Sequence, residues 1–141
     1  MDILTPDFLG PRWLDRRFSG LGYLFPTRGA QFGLHRTECV PVTVDARTFH
    51  VNRPDVIGAL YEKCSALLVP LDVDKSRHHQ DIALLASFVG PGERRTMLAL
   101  SRRQRRRLVQ GMASAAESGA VDRGDQDSLR RLVDLLVQWH R

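Results

Sequence analysis

The sequence predicts an α+β chain, with short N-terminal strands and a β-hairpin followed by a C-terminal helical bundle of about four helices. Three observations carry that expectation. Val40, Val42 and Val44 alternate with Pro41 and Thr43, the period of two that belongs to a strand. Beyond residue 53, apolar residues recur at intervals of three and four, the period of a helix face. Glycine and proline punctuate residues 6 to 33 too often for any long helix to form there.

In chain order, Asp2-Ile3-Leu4 reads as a brief strand start, cut off by Pro6, Gly10 and Pro11. Between Gly20 and Gly33 the glycines alternate with Leu21, Tyr23, Leu24, Phe25 and Phe32, a texture of short strands and loops in which no helix is expected. Residues 39–51 form the hairpin, turning near Asp45, with Pro41 marking an edge strand. Asn52 or Arg53 then caps a helix that carries Pro54 in its first turn, where a missing N–H costs nothing. Its stripe is Val56, Ile57, Leu60, Cys64, Leu67 and Leu68, and Pro70 stops it. A second helix starts near Ser76, buries Ile82, Leu85, Phe88 and Val89, and ends at Gly90-Pro91-Gly92. A third opens on a capping box, Ser101 with Gln104, and closes near Gly119. The last runs from about Asp127 with Leu129, Leu132, Val133, Leu136 and Trp139 on one face.

A chain of 141 residues is long enough for one ordinary core. Within it, residues 1–52 read as a partial β region, 53–118 as a helical region of the same domain, and 119–141 as a C-terminal amphipathic helix. No apolar run approaches the roughly 20 residues needed to cross a bilayer, and the N-terminus lacks the basic and apolar regions of a secretory signal. A soluble, cytoplasmic protein with no membrane partner is the expectation. Cys39 and Cys64 have no metal-ligand spacing and read as reduced thiols. The balance of 21 Lys+Arg against 16 Asp+Glu, a net charge of +5, permits contact with nucleic acid without requiring it. Lys63 and Lys75 are the only lysines, so the abundance of arginine reflects codon bias as readily as chemistry.

Asp81 is the most informative polar residue, because it precedes Leu85 and Phe88 at the i+4 and i+7 positions of a helical stripe. A carboxylate facing the interior requires a cationic partner or a ligand. Lys63, on the flank of the preceding helix, is the leading partner, since two antiparallel helices joined by a short loop bring the two together. Such a pair is either a plain interhelical salt bridge or a Lys that meets phosphate with an Asp that positions it. The second feature is the run Arg102, Arg103, Arg105, Arg106 and Arg107 at the start of one helix. Cations there oppose the helix dipole, which points to an anionic partner such as an RNA backbone, against the plainer reading of a solvated basic face. His78 and His79 project about 100° apart on a helix and make poor joint metal ligands. The glycines form neither a GxGxxG nor a P-loop, and no GxSxG places a nucleophile.

The order of these signals resembles the nucleotidyltransferase-like proteins of high-GC actinobacteria, relatives of the AbiEii-type toxins within the DNA polymerase beta-like superfamily. The matching pieces are Asp2-Ile3-Leu4, Gly29-Ala30-Gln31 through Glu38, the hairpin leading into Arg53-Pro54-Asp55-Val56-Ile57-Gly58-Ala59-Leu60, Lys63, Arg77-His78-His79-Gln80-Asp81-Ile82-Ala83-Leu84-Leu85 and the Arg-rich helix from Ser101 to Leu108. They cover residues 1 to about 118. The resemblance implies two-metal chemistry in which Asp2 is the third metal carboxylate, while the Gly-Ser turn and Asp-x-Asp of the family would lie before Met1. It also implies that Lys63 contacts the nucleotide phosphate and that Asp81 supports it.

The function expected on that resemblance is the C-terminal portion of a nucleotidyltransferase-like protein of toxin–antitoxin kind, inactive alone, with Asp2, Lys63 and Asp81 as catalytic residues. Its cofactor would be Mg²⁺, bound only where the missing motif is supplied. Its partners would be a nucleoside triphosphate, an RNA or protein acceptor, and a protein docked on residues 127–141. The alternative is a non-catalytic module that contacts nucleic acid through the Arg-rich helix or a protein through the last helix.

Overall fold

The computed structural model describes residues 3–6, 24–27, 29–68 and 75–139. Two short strands, β1 (Ile3–Pro6) and β2 (Leu24–Thr27), lie parallel, with Ile3 opposite Leu24 and Pro6 opposite Thr27. A short helix, α1 (Ala30–Leu34), follows, and then the antiparallel pair β3 (Thr37–Val44) and β4 (Arg47–Pro54). The rest is helical: α2 (Val56–Ala66), α3 (Ser76–Ser87), α4 (Pro91–Ala99), α5 (Arg102–Glu117) and α6 (Arg123–Gln138). The chain is thus α+β with a helical C-terminal part, as the sequence pattern requires, with six helices among the described residues.

The hairpin turns on Asp45 and Ala46, both with positive φ (48° and 61°). Two left-handed residues in a two-residue loop twist the backbone in the same sense as the flanking strands, which favours this tight turn. Val42 faces Phe49 across the ladder and Val40 faces Val51, so one face of the ribbon is apolar. Val42, Val44, Phe49 and Val51 all remain exposed.

Four details of the helical part differ from the sequence expectation. A helix does form inside the glycine-rich stretch: α1 starts at Gly29, whose φ of 98° lets the chain turn into the helix. A Cβ at Gly29 would also lie 2.5 Å from the Ser65 hydroxyl oxygen, so glycine is required there by packing as well. Pro54 ends β4 instead of opening α2; the cap is Asp55, whose carboxylate accepts from the Gly58 amide at 2.7 Å. Gly90-Pro91-Gly92 ends α3 and also starts α4, with Pro91 at the first helical position and Glu93 accepting from the Gly90 amide at 3.0 Å. The last helix begins at Arg123, four residues before Asp127, on Asp122 as its cap. The capping box at Ser101 does form, with Gln104 accepting from the Ser101 amide at 2.9 Å and the Ser101 hydroxyl accepting from the Gln104 amide at 3.4 Å.

One core joins α2 to α6. Ile57, Leu60 and Cys64 of α2 meet Ile82 of α3, Met97 of α4, Leu108 and Met112 of α5, and Leu129 and Leu136 of α6, all essentially inaccessible to water. Tyr61 joins them, although it was absent from the anticipated stripe. On α3 the buried face is built on Ile82, Ala83 and Ala86, with Val89 just beyond the helix; Phe88 is 62% exposed and Leu85 only partly buried. Small residues at 83 and 86 permit close approach of the helices, which turns the larger Phe88 outward. Leu129, Leu132 and Leu136 of α6 pack into the same core, so these leucines of its amphipathic stripe are occupied internally; Val137 and Trp139 stay exposed at its end.

Cys64 is buried and Cys39 exposed, both as free thiols. Burial pushes the Cys64 thiol up to about 12, because the thiolate loses its hydration there. The native protein is therefore expected to react with a thiol reagent at neutral pH once, at Cys39, and twice after denaturation. Two fast equivalents from the folded protein would contradict the packing of α2 against α5.

Candidate functional site

Lys63 lies near the end of α2 and Asp81 in the middle of α3, and the two helices pack side by side so that the Lys63 ammonium donates to the Asp81 carboxylate at 2.6 Å. Their side chains are 35% and 31% exposed. Asp81 sits on the flank of the core because its i+4 and i+7 neighbours are the half-buried Leu85 and exposed Phe88, and that placement leaves the pair open to solvent. Nearby, the Lys75 ammonium at the start of α3 donates to the Leu67 carbonyl at the end of α2 at 2.9 Å. Beside the pair, burial raises the pKa of Glu62, partly offset by the Lys63 charge. On α3, His79 meets the Ser114 hydroxyl at 3.1 Å; burial lowers its pKa, with further lowering from His78 and Lys75.

The arginines of α5 do not act as one group. Arg105 reaches back to donate to the Leu98 carbonyl at 2.7 Å, near the C-terminal end of α4, which is a structural contact. Arg102 and Arg106 are exposed. Arg103 and Arg107, one turn apart, both line a cleft of about 730 Å³ where α1, α2 and α5 meet. A third guanidinium, that of Arg36, enters from the residue pair between α1 and β3.

The cleft is built from local chemistry on three elements. Arg36 is held by two hydrogen bonds to the Asp55 carboxylate, at 3.1 and 2.5 Å, and lies 5.9 Å from the centre of the Phe32 ring. Arg107 lies 5.9 Å from the Tyr61 ring and donates to the Ser65 hydroxyl at 3.5 Å. The Phe32 and Tyr61 rings touch at 4.3 Å between centroids, so both guanidinia rest against one aromatic floor. Gln31 and Gln104 add amides, and Gln31 also pairs with His35; among the described residues no acidic side chain lines the cleft.

Lys63 and Asp81 therefore come together, whereas the arginine cleft does not join them. Tyr61, in the cleft, and Lys63 are two residues apart on α2 and so project about 200° apart, on opposite sides of the helix. Asp2 lies outside the described residues. Among the described residues no group of three His, Cys, Asp or Glu side chains could hold a metal ion, so no step through Mg²⁺ follows from them. Among them, too, no helix is long and apolar enough to cross a membrane.

Arg36, Phe32 and Tyr61 were missed from the sequence. Phe32 and Arg36 stand four residues apart, the spacing of a helical ring–cation pair, but α1 was not expected to be helical. Nothing in the spacing of residues 36, 61 and 107 signals that three elements converge there.

Comparison of the chain with known protein families, with characterised proteins and with solved structures finds no match.

Proposed function

We propose that this chain is the nucleotide-phosphate-binding, helical portion of a nucleotidyltransferase-like protein of the toxin–antitoxin kind, and that Lys63 is its phosphate contact. The observation that carries this reading is the Lys63–Asp81 pair at 2.6 Å, about one-third exposed. An ammonium has three N–H donors; Asp81 uses one, and the exposed remainder is free to meet phosphate oxygens. Asp81 holds the ammonium in one position, which lowers the entropy lost when phosphate arrives. A pair serving only to join two helices gains nothing from exposure, since exposed ion pairs add only about 0–1 kcal/mol to stability.

Transfer of the nucleotide to an RNA or protein acceptor additionally needs metal-holding carboxylates, which the described residues do not bring together. The binding step is therefore the one to test. In isothermal titration of the purified chain with each of the four ribonucleoside triphosphates, at least one is expected to bind, and Lys63→Met is expected to weaken it by about tenfold or more, as loss of a charge-assisted contact does. Equal affinity in wild type and Lys63→Met would refute the role given to Lys63.

The alternative, a non-catalytic nucleic-acid-binding module, is favoured by a different observation, the arginine cleft whose described lining residues include no acid. The two readings are compatible, because the cleft and the Lys63–Asp81 pair lie on opposite sides of α2.

A further inference from the structure

We infer that the cleft between α1, α2 and α5 is a second phosphate site, which takes the backbone of a single-stranded RNA through Arg36, Arg103 and Arg107. The inference is independent of the Lys63–Asp81 reading, since it concerns the other side of α2.

Charge is the first argument. Of the three guanidinia only Arg36 is neutralised, by Asp55; Arg107 meets a neutral hydroxyl, and Arg103 has no hydrogen-bond or ion-pair partner among the described residues. Two uncompensated cations facing a concavity with no carboxylate among its described lining residues create a field that attracts anions. Pre-organisation is the second. Phe32 and Tyr61 support Arg36 and Arg107 from below, and Asp55 and Ser65 hold them laterally, so two of the three forks are already oriented. Oriented guanidinia match the oxygens of a phosphate in pairs.

The extent of the basic surface decides between a strand and a free nucleotide. Arg102 and Arg106, one residue before Arg103 and Arg107 respectively, are exposed on the neighbouring face of α5, so a band of positive charge continues beyond the residues that line the cleft. A polynucleotide follows such a band; a mononucleotide uses only the cleft. Double-stranded RNA, a rod far wider than this concavity, fits less well than a flexible single strand.

The test is fluorescence anisotropy of a labelled single-stranded RNA dodecamer with the full chain at several salt concentrations. Wild type is expected to bind, with ATP and inorganic phosphate at equal phosphate concentration competing poorly. Arg103→Gln is the cleanest variant, since this exposed side chain has no partner to lose. It is expected to weaken binding severalfold and to lower the slope of log affinity against log salt by about 0.7, the value for one contact with a single strand. Arg103→Gln with Arg107→Gln is expected to weaken binding by about tenfold or more and lower the slope by about 1.4. Arg94→Gln with Arg95→Gln, which removes two exposed charges outside the cleft, is expected to change affinity less than twofold. Loss of affinity in that control equal to the loss in the cleft variant would overturn the site in favour of general charge attraction. So would absence of RNA binding by the wild type, or complete competition by inorganic phosphate. Retention of nucleotide binding by Arg103→Gln, measured in the same preparation, separates failure of this site from failure of the Lys63 reading.

Discussion

Gly111→Ala is expected to destabilise the protein by about 1–3 kcal/mol, against the gain of roughly 1 kcal/mol that the same change gives in an unconstrained helix interior. Gly111 lies in the middle of α5, where that helix crosses α2. A Cβ placed on it would lie 2.4 Å from the Cβ, 2.5 Å from the Sγ and 2.7 Å from the Cα of Cys64. The Cα belongs to the backbone of α2 and cannot rotate away, so the two helices must move apart. Leu60, Leu108 and Met112, all fully buried and in the same cluster, would then lose contact together. Gly124→Ala is the matching control: nothing lies within 4 Å of a Cβ there, and the change is expected to be neutral or mildly stabilising. Urea denaturation distinguishes the two. A Gly111→Ala midpoint at or above that of Gly124→Ala would mean that α2 and α5 do not approach as closely as described.

The same contact shows what was and was not legible in the sequence. Helix α5 could be read from its capping box, and α2 from the spacing of Ile57, Leu60 and Cys64, because both are signals within one element. The hairpin was legible for the same reason, since alternation and the Asp45 turn are local. The pairing of Gly111 with Cys64 was not, as it depends on which faces of two helices meet. Helix α4 escaped because Gly90-Pro91-Gly92 reads as a stop, although Pro at the first helical position is equally a start. Phe88 was misassigned because the size of its side chain outweighed two alanines that in fact face the core.

For the candidate site, the Lys63–Asp81 contact was legible because a lysine on the flank of one helix meets a carboxylate on the next when a short loop joins them antiparallel. The expectation that Asp81 lies within the buried stripe does not hold, since Leu85 is only partly buried and Phe88 is exposed. The division of labour among the arginines was not. Arg105 is committed to the end of α4 and Arg107 to the floor formed by Tyr61, roles set by tertiary neighbours that a helical wheel of α5 alone does not contain. Arg36 entered the site only because α1 turns at Gly29 and packs on α2.

Whether the Lys63–Asp81 pair binds phosphate or only joins two helices can be decided by exchanging its members. Lys63→Asp combined with Asp81→Lys keeps one cation and one anion facing each other across α2 and α3, at sites where each side chain is about one-third exposed. A purely structural pair tolerates that exchange, and the variant is expected to unfold within about 1 kcal/mol of wild type because exposed pairs contribute little either way. Phosphate recognition is not symmetric. The ammonium moves from α2 to α3, a carboxylate takes its place, and an anionic ligand meets repulsion where it met a donor. The decisive measurement is therefore titration of the nucleoside triphosphate that binds wild type best into the exchanged variant, alongside its urea midpoint. A near-native midpoint with affinity reduced by about tenfold or more is the predicted result; a near-native midpoint with wild-type affinity would contradict the assignment of Lys63 as the phosphate contact.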